Sequence, residues 1–200
     1  IAVINPKRSN HNYPFKDFAG VGVAFQLARA LQKTLKKPKP GQEKWLLDLV
    51  ALGTICDIVS LTGENRILAK WGLEVMKKTR RPGLKALMAV AGIEPNKLSA
   101  QSLGFGLGPR LNSSGRLETA KLSLDLLTAT DNETALDLAE KLNDMNDKRR
   151  RDQAVILDAA EKQAEKYLSD DVLVLSHPDW SHGIIGIVAS KSVEKYHNPT

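Results

Sequence analysis

The sequence predicts an α/β protein in two bodies joined by a long helix. Two short apolar runs, "IAVINP" at residues 1–6 and "DDVLVLSHP" at 170–178, read as strands. Between them the apolar residues recur mostly at helical spacing. The third observation is a run of 38 residues, 131–168, with neither proline nor glycine.

Taken in order, the first strand ends at Pro6 and a polar loop with aromatic interruptions follows. A helix is predicted from about Val21 to Leu35, its stripe made by Phe25, Leu27, Ala28 and Leu31, until "KKPKPGQ" breaks it. The stretch "EKWLLDLVALGTICDIVSL" does not alternate strictly, and its length favours a buried helix through about Thr54. "ENRILAKWGLEVMKKT" is an amphipathic helix with Ile67, Leu68, Trp71, Val75 and Met76 on one face. "RPGLKALMAVAGI" is a shorter one, opened by Pro82 and closed by Gly92.

"GLGPRLNSSGRLE", residues 106–118, is too polar for a core and too rich in breakers for a helix interior, so it is expected as a loop. "TAKLSLDLLTAT" is a helix, and the long run follows. Thr130 with Glu133, or Asp131 as the cap itself, marks its start. Unbroken, it would extend about 57 Å. Its middle, "NDKRRRD", is polar almost all round, with apolar stripes on either side. A helix wet in its middle and buried at its ends bridges two bodies. Beyond the second strand, "SHGIIGIVASKSVEKY" enters a helix, as at the start of a second α/β domain.

Composition narrows the function class. The chain has 29 Lys and Arg against 23 Asp and Glu, a formal charge of +6, which favours a polyanionic partner. One cysteine, Cys56, excludes an internal disulfide and a cysteine-based zinc site. It lies in an apolar run, where a buried, inert thiol in a reducing, cytoplasmic setting is expected. No apolar run approaches the length of a membrane span, so no membrane partner is expected. Both ends read as cut: the chain starts inside an apolar run without a methionine and stops just after a helical pattern. No nucleophile elbow, P-loop, dinucleotide fingerprint or zinc spacing is present.

Three stretches can carry chemistry. Asp57 closes the apolar run "GTICD", and a carboxylate there either meets a cation, a metal or backbone donors, or simply caps a helix. In "GPRLNSSGR", Arg110 and Arg116 offer planar forks for phosphate oxygens, and Asn112 a neutral donor. The alternative is a polar interdomain loop whose arginines pair with acids such as Glu118. In "HPDWSHGIIGIVASK", His182 precedes a helix whose N-terminus could receive an anion, while Gly186 and Ser190 are small enough for close approach. A histidine satisfied by neighbouring backbone is the alternative. The run Lys148–Arg151 reads as a solvated helix face. These residues by themselves describe a two-body α/β protein that handles an anion.

In order and spacing, "LLDLVALGTICDIVSLTGENRILAKWGL", "GFGLGPRLNSSGRLETA" and "HPDWSHGIIGIVASK" resemble the RecJ branch of the DHH phosphoesterase family. The proteins of that branch are single-strand-specific DNA exonucleases digesting from the 5′ end. The resemblance implies that residues 1–118 are the C-terminal part of a DHH catalytic domain, 119–168 connecting helices, and 169–200 the start of a DHH-associated domain. It implies that Asp57 is a ligand of a catalytic Mn²⁺ or Mg²⁺ pair. Arg110, Asn112 and Arg116 would hold DNA phosphates at a groove between domains. His182, Gly186, Ser190 and Lys191 would face nucleic acid. The family usually has arginine at the position of Lys191, and lysine keeps the charge but loses the bidentate fork.

The implied partner is single-stranded DNA, in repair and recombination, with a helicase and a single-strand-binding protein as further candidates and a monomer favoured. The Asp-His-Asp and Asp-His-His ligand motifs are missing from these residues, so the 200 residues alone are expected to be inactive. Two other readings stay open: another DHH phosphodiesterase, of nanoRNase or cyclic-dinucleotide type, and a non-catalytic single-stranded-DNA-binding relative.

Overall fold

The computed structural model describes residues 3–9, 12–117 and 120–200, apart from the side chains of residues 116 and 117. Its α-helices run in the order α1 (Gly20–Leu35), α2 (Leu47–Cys56), α3 (Gly63–Met76), α4 (Pro82–Val90), α5 (Gly108–Leu117), α6 (Lys121–Thr128), α7 (Asn132–Ala164) and α8 (His182–Tyr196). A 3₁₀ turn, Gln42–Leu46, leads into α2, and a π-helical turn, Ser102–Leu107, leads into α5. The chain forms two compact units. One holds the residues up to Pro109 together with Leu126–Ala139, and the other holds Arg110–Asp125 together with Glu140–Thr200.

At the centre of the first unit lies α2, which buries Val50, Ala51, Leu52 and Thr54. It is apolar on nearly every side, the signature of a helix enclosed by others. Phe25 from α1 packs with Leu47 and Val50, and Leu68 and Val75 from α3 close the cluster. Gly72 lets α3 approach: a Cβ there would collide with the Leu47 carbonyl and the Ala51 methyl.

As expected, α4 opens at Pro82, where the missing N–H has no intrahelical partner to lose, and its chain turns off at Gly92 with φ +64°. Gly83 meets the Leu126 carbonyl so closely that a Cβ would overlap it. Because backbone faces backbone, no rotamer can relieve the clash. Gly83→Ala is therefore expected to cost about 1–3 kcal/mol, read as a thermal midpoint lower by several degrees. Gly115→Ala in α5 should act in the opposite sense. Among the described residues nothing beyond its own helix lies within 4 Å of its Cβ position, and alanine gains about 1 kcal/mol of helix propensity.

In the second unit Ile156 and Ala160 of α7 pack on Ile184 and Val188 of α8, with Leu157, Leu175 and Trp180 around them. The start of α7 is settled by Asp131, whose Oδ1 accepts a 2.7 Å hydrogen bond from the Thr134 N–H. That bond holds the Asp131 carboxyl below the usual carboxylate range.

The structure departs from the sequence expectations in three places. Both expected strands are without strand structure: among residues 3–6 and 170–178 the backbone is coil, bend or turn. A strand needs a neighbouring ladder to satisfy its amides and carbonyls. In the second segment Leu173 donates one such bond, to the Pro199 carbonyl at 2.8 Å. The described residues are thus helical where an α/β layout was expected.

Second, the breaker-rich stretch 106–118 is helical through Leu117, and residue 118 lies outside the described residues. A proline inside a continuing helix lacks a donor and meets the carbonyl four residues back. The wide π turn just before Pro109, closed by the Gly108 N–H on the Leu103 carbonyl, accommodates it. Two serines expected to favour a loop instead donate back to the helix. The Ser113 hydroxyl bonds the Arg110 carbonyl at 2.6 Å and the Ser114 hydroxyl bonds that of Leu111 at 3.2 Å.

Third, the polar middle of α7 is only partly wet: Lys148, Arg150 and Arg151 are exposed, while Asn146 is buried. The buried stripe Ala135, Ala139, Leu142 continues through Asn146, which is only 2% exposed, before returning to Ile156, Ala160 and Ala164.

Candidate metal and phosphate sites

Asp57 is the C-terminal cap of α2, its N–H bonded to the Gly53 carbonyl at 2.9 Å. Its side chain is exposed and has no ion-pair partner among the described residues. The next residue is unusual. Ile58 has φ +53° and is 89% exposed. A helix that ends in the left-handed region normally uses glycine there. A β-branched residue in that conformation is strained by about 1–2 kcal/mol. Such strain persists only where surrounding contacts determine it, and it gathers at functional sites.

Cys56, beside it, is half-buried and lies 3.6 Å from the Leu103 carbonyl. Burial, with the Asp57 carboxylate adding to it, pushes the thiol up to about 11. It stays protonated at neutral pH and is a poor metal ligand or nucleophile, in line with the inert thiol read from the sequence.

A free carboxylate is a fit ligand for a hard divalent cation. Among the described residues, however, no three His, Cys, Asp or Glu side chains come together to hold a metal. Asp57 can contribute one ligand and no more.

Of the three residues predicted to hold phosphates, Arg110 is the best defined. It lies half-buried in the first turns of α5, and its Nε donates to Asn143 Oδ1 of α7 at 2.9 Å. Asn143 in turn donates to Asp147 at 3.3 Å. Burial pulls the guanidinium below its ordinary value and Arg150 adds to that, while Asp147 opposes it. An arginine remains charged through such a shift, so the effect is to hold a fixed, partly desolvated fork. Asn112 is exposed on the same helix. Arg116 is on α5 too, with its side chain outside the described residues, as is Glu118, its suggested partner.

Within the charge run Arg149 is half-buried and donates along its own helix, to Gln153 and to Asn146 at 2.9 and 3.0 Å. Lys148, Arg150 and Arg151 are exposed.

His182, Gly186, Ser190 and Lys191 are gathered on α8. The first three recur every four residues on one exposed face, and the Ser190 hydroxyl donates to the Gly186 carbonyl at 3.0 Å. His182 is the first residue of the helix, with Ser181 making no side-chain cap. The Ser181 carbonyl accepts from the Ile184 and Ile185 N–H groups at 2.9 and 3.1 Å, closing the first turn. A hollow of about 480 Å³ beside this face is lined by His177, Trp180, His182, Gly186 and Ser192 among others.

Two polar residues were missed by the sequence reading. Asp48, 2% exposed in the first turn of α2, accepts from the Thr79 hydroxyl at 2.8 Å and from Arg81 Nε at 3.1 Å. Its one sequence signal is a lone carboxylate inside "WLLDLVALG". Asn65, fully buried, has Nδ2 bonded to the carbonyls of Asp17 and Ser60 at 2.7 and 3.0 Å. Nothing in "GENR" announces it.

No family model matches the chain. It is 40% identical over 199 residues to the single-stranded-DNA-specific exonuclease RecJ of Bacillus subtilis, covering 99% of this chain and 24% of that protein. This chain is similar to RecJ over nearly its whole length. The RecJ of Escherichia coli is 39% identical over 212 residues, covering 99% of the chain and 37% of that protein. Among solved structures, exonuclease RecJ bound to manganese superposes with a TM-score of 0.83 at 31% identity, over 96% of this chain and 48% of that one. RecJ from Thermus thermophilus in complex with Mg²⁺ gives 0.79 at 32% identity, over 94% and 29%. The chain spans about a quarter to under two fifths of the length of these curated RecJ relatives. Among the described residues no helix is long and apolar enough to cross a membrane.

Proposed function

We propose that these residues serve a metal-dependent exonuclease that digests single-stranded DNA from the 5′ end, as part of a protein of the RecJ relatives' length. The observation that carries the reading is Asp57: a carboxylate without an ion-pair partner among the described residues, held out at a strained helix end, in a chain 40% identical to a RecJ. Asp57 would be one ligand of a Mn²⁺ or Mg²⁺ pair, with the other ligands supplied by segments beyond these 200 residues. When bound, such ions activate a water and stabilise the leaving oxygen of a phosphodiester. Without the other ligands the 200 residues would be inactive.

This chain's own residues then bind and orient. The fixed fork of Arg110 would hold a phosphate, with Asn112 and Arg116 beside it along α5. The exposed residues of α8, His182, Gly186, Ser190 and Lys191, would face the nucleic acid. Residues 1–118 would belong to the catalytic domain, 119–168 to the connector and 169–200 to a second domain. In the longer protein the segments 3–6 and 170–178 would find strand partners, giving the α/β class. Repair and recombination are the fitting setting, with a helicase or a single-strand-binding protein as partner.

Substrate length tests this against the other phosphodiesterases of the wider family. A protein of the relatives' length carrying these residues should degrade a long 5′-phosphorylated strand in preference to a dinucleotide. Faster turnover of the dinucleotide would overturn the assignment.

A further inference from the structure

We infer that Asn65 is a positioning residue for the metal site: it fixes the loop that presents Asp57. The inference rests on Asp57 being a metal ligand.

Asn65 lies in the first turn of α3 and is completely buried. Its amide nitrogen reaches two main-chain carbonyls from different parts of the first unit. One is Ser60, in the short loop that follows Asp57, at 3.0 Å, and the other is Asp17, just before α1, at 2.7 Å. Both donors of the amide are used. Its Oδ1, by contrast, is buried with no hydrogen-bond partner.

That asymmetry is informative. A buried acceptor left unsatisfied is unfavourable, and an apolar side chain of similar volume would fill the position without it. What asparagine supplies is the pair of donors, and what those donors hold is loop backbone. The loop needs holding, because Ile58 stands in the left-handed region directly after Asp57 with 89% of its surface exposed. Packing of its own side chain therefore cannot impose the conformation. Local bonds close only its first half: the Ile58 N–H meets the Ile55 carbonyl at 3.1 Å. The second half is fixed at Ser60 by Asn65. Outer groups that orient a ligand typically change metal affinity by about 10–100-fold when removed.

The test uses a protein of the relatives' length carrying these residues, with Mn²⁺ as the probe. Free Mn²⁺ is followed by electron paramagnetic resonance, and amide hydrogen exchange is read at residues 58–61. Asn65→Asp keeps the shape and removes the donors. It is expected to weaken Mn²⁺ binding about tenfold and to speed exchange in that loop. Thr79→Val, which breaks a buried hydrogen bond at the other end of α2, serves as the control for lost stability. It should leave Mn²⁺ affinity unchanged. If Asn65→Asp does not fold, Asn65→Ser, which keeps a single shorter donor, is titrated in its place and should still bind Mn²⁺ more weakly than the unaltered protein.

A folded Asn65 variant with unaltered Mn²⁺ affinity overturns the inference, as does an equal loss in Thr79→Val. Asp57→Ala is titrated alongside. If it keeps full Mn²⁺ affinity, the failure lies in the metal-ligand reading itself; if it alone loses affinity, only the role of Asn65 falls.

Discussion

Asp57→Ala, in a protein of the RecJ relatives' length, is expected to lower Mn²⁺-dependent digestion of single strands by more than about a hundredfold. Loss of an outer group around a metal already costs about 10–100-fold, and a direct ligand should cost more. Stability should hardly change. The Asp57 side chain is exposed and has no ion-pair partner among the described residues, so its removal leaves no buried group unsatisfied. Initial rates with an end-labelled strand, set beside a thermal melt, check both halves. A parallel fall in activity and melting temperature would mean that the residue only supports the fold.

The second large effect is on stability. Asp48 is 2% exposed, and its carboxylate gathers the Thr79 hydroxyl, Arg81 Nε and the Leu49 N–H, the last at 2.7 Å. The Arg81 side chain is 30% exposed and Asp48's 3%, so one charge of the pair is buried and the other partly solvated. Removing one partner of a buried pair typically costs about 3–5 kcal/mol. Because Arg81 can recover some hydration, Asp48→Ala should lie near the lower end, about 3 kcal/mol. For a chain of 200 residues that corresponds to a fall of roughly 6–12 °C in the melting midpoint. Asp48→Asn keeps an acceptor for Thr79 and should lose less. The melts of both variants, compared with the unaltered protein, decide it, and a shift of under about 1 kcal/mol in Asp48→Ala would contradict the picture.

Much of this fold was legible because its signals are local. Pro82 and Gly92 bound α4 as their chemistry requires, Asp131 caps α7, and the absence of breakers from 131 onward gives an unbroken helix. What failed depended on hydrogen-bond geometry that residue type alone does not encode. Counting breakers in 106–118 could not foresee that a π turn accommodates Pro109. Nor could it foresee that the serine hydroxyls satisfy carbonyls of the same helix. The charge run in α7 is largely the solvated face that was expected: Lys148, Arg150 and Arg151 are exposed and only Arg149 is half-buried. The strand assignments assumed neighbours that the described residues do not contain.

The candidate site divides the same way. Asp57 stood out as a carboxylate closing an apolar run, and His182 as a residue opening a helix. Asn65 carried no signal, because its partners are main-chain carbonyls 5 and 48 residues away. Periodicity reports which face is buried but not which backbone atom a buried amide will reach.

The central claim is that these residues belong to a metal-dependent nuclease specific for single strands. Its most direct test is digestion of an end-labelled, 5′-phosphorylated single strand by a protein of the relatives' length, with Mn²⁺ or with a chelator, beside a matching duplex. The account predicts rapid loss of the single strand from its 5′ end with Mn²⁺, none with the chelator, and little loss of the duplex. Binding of the strand without digestion, or digestion indifferent to the metal, would contradict it.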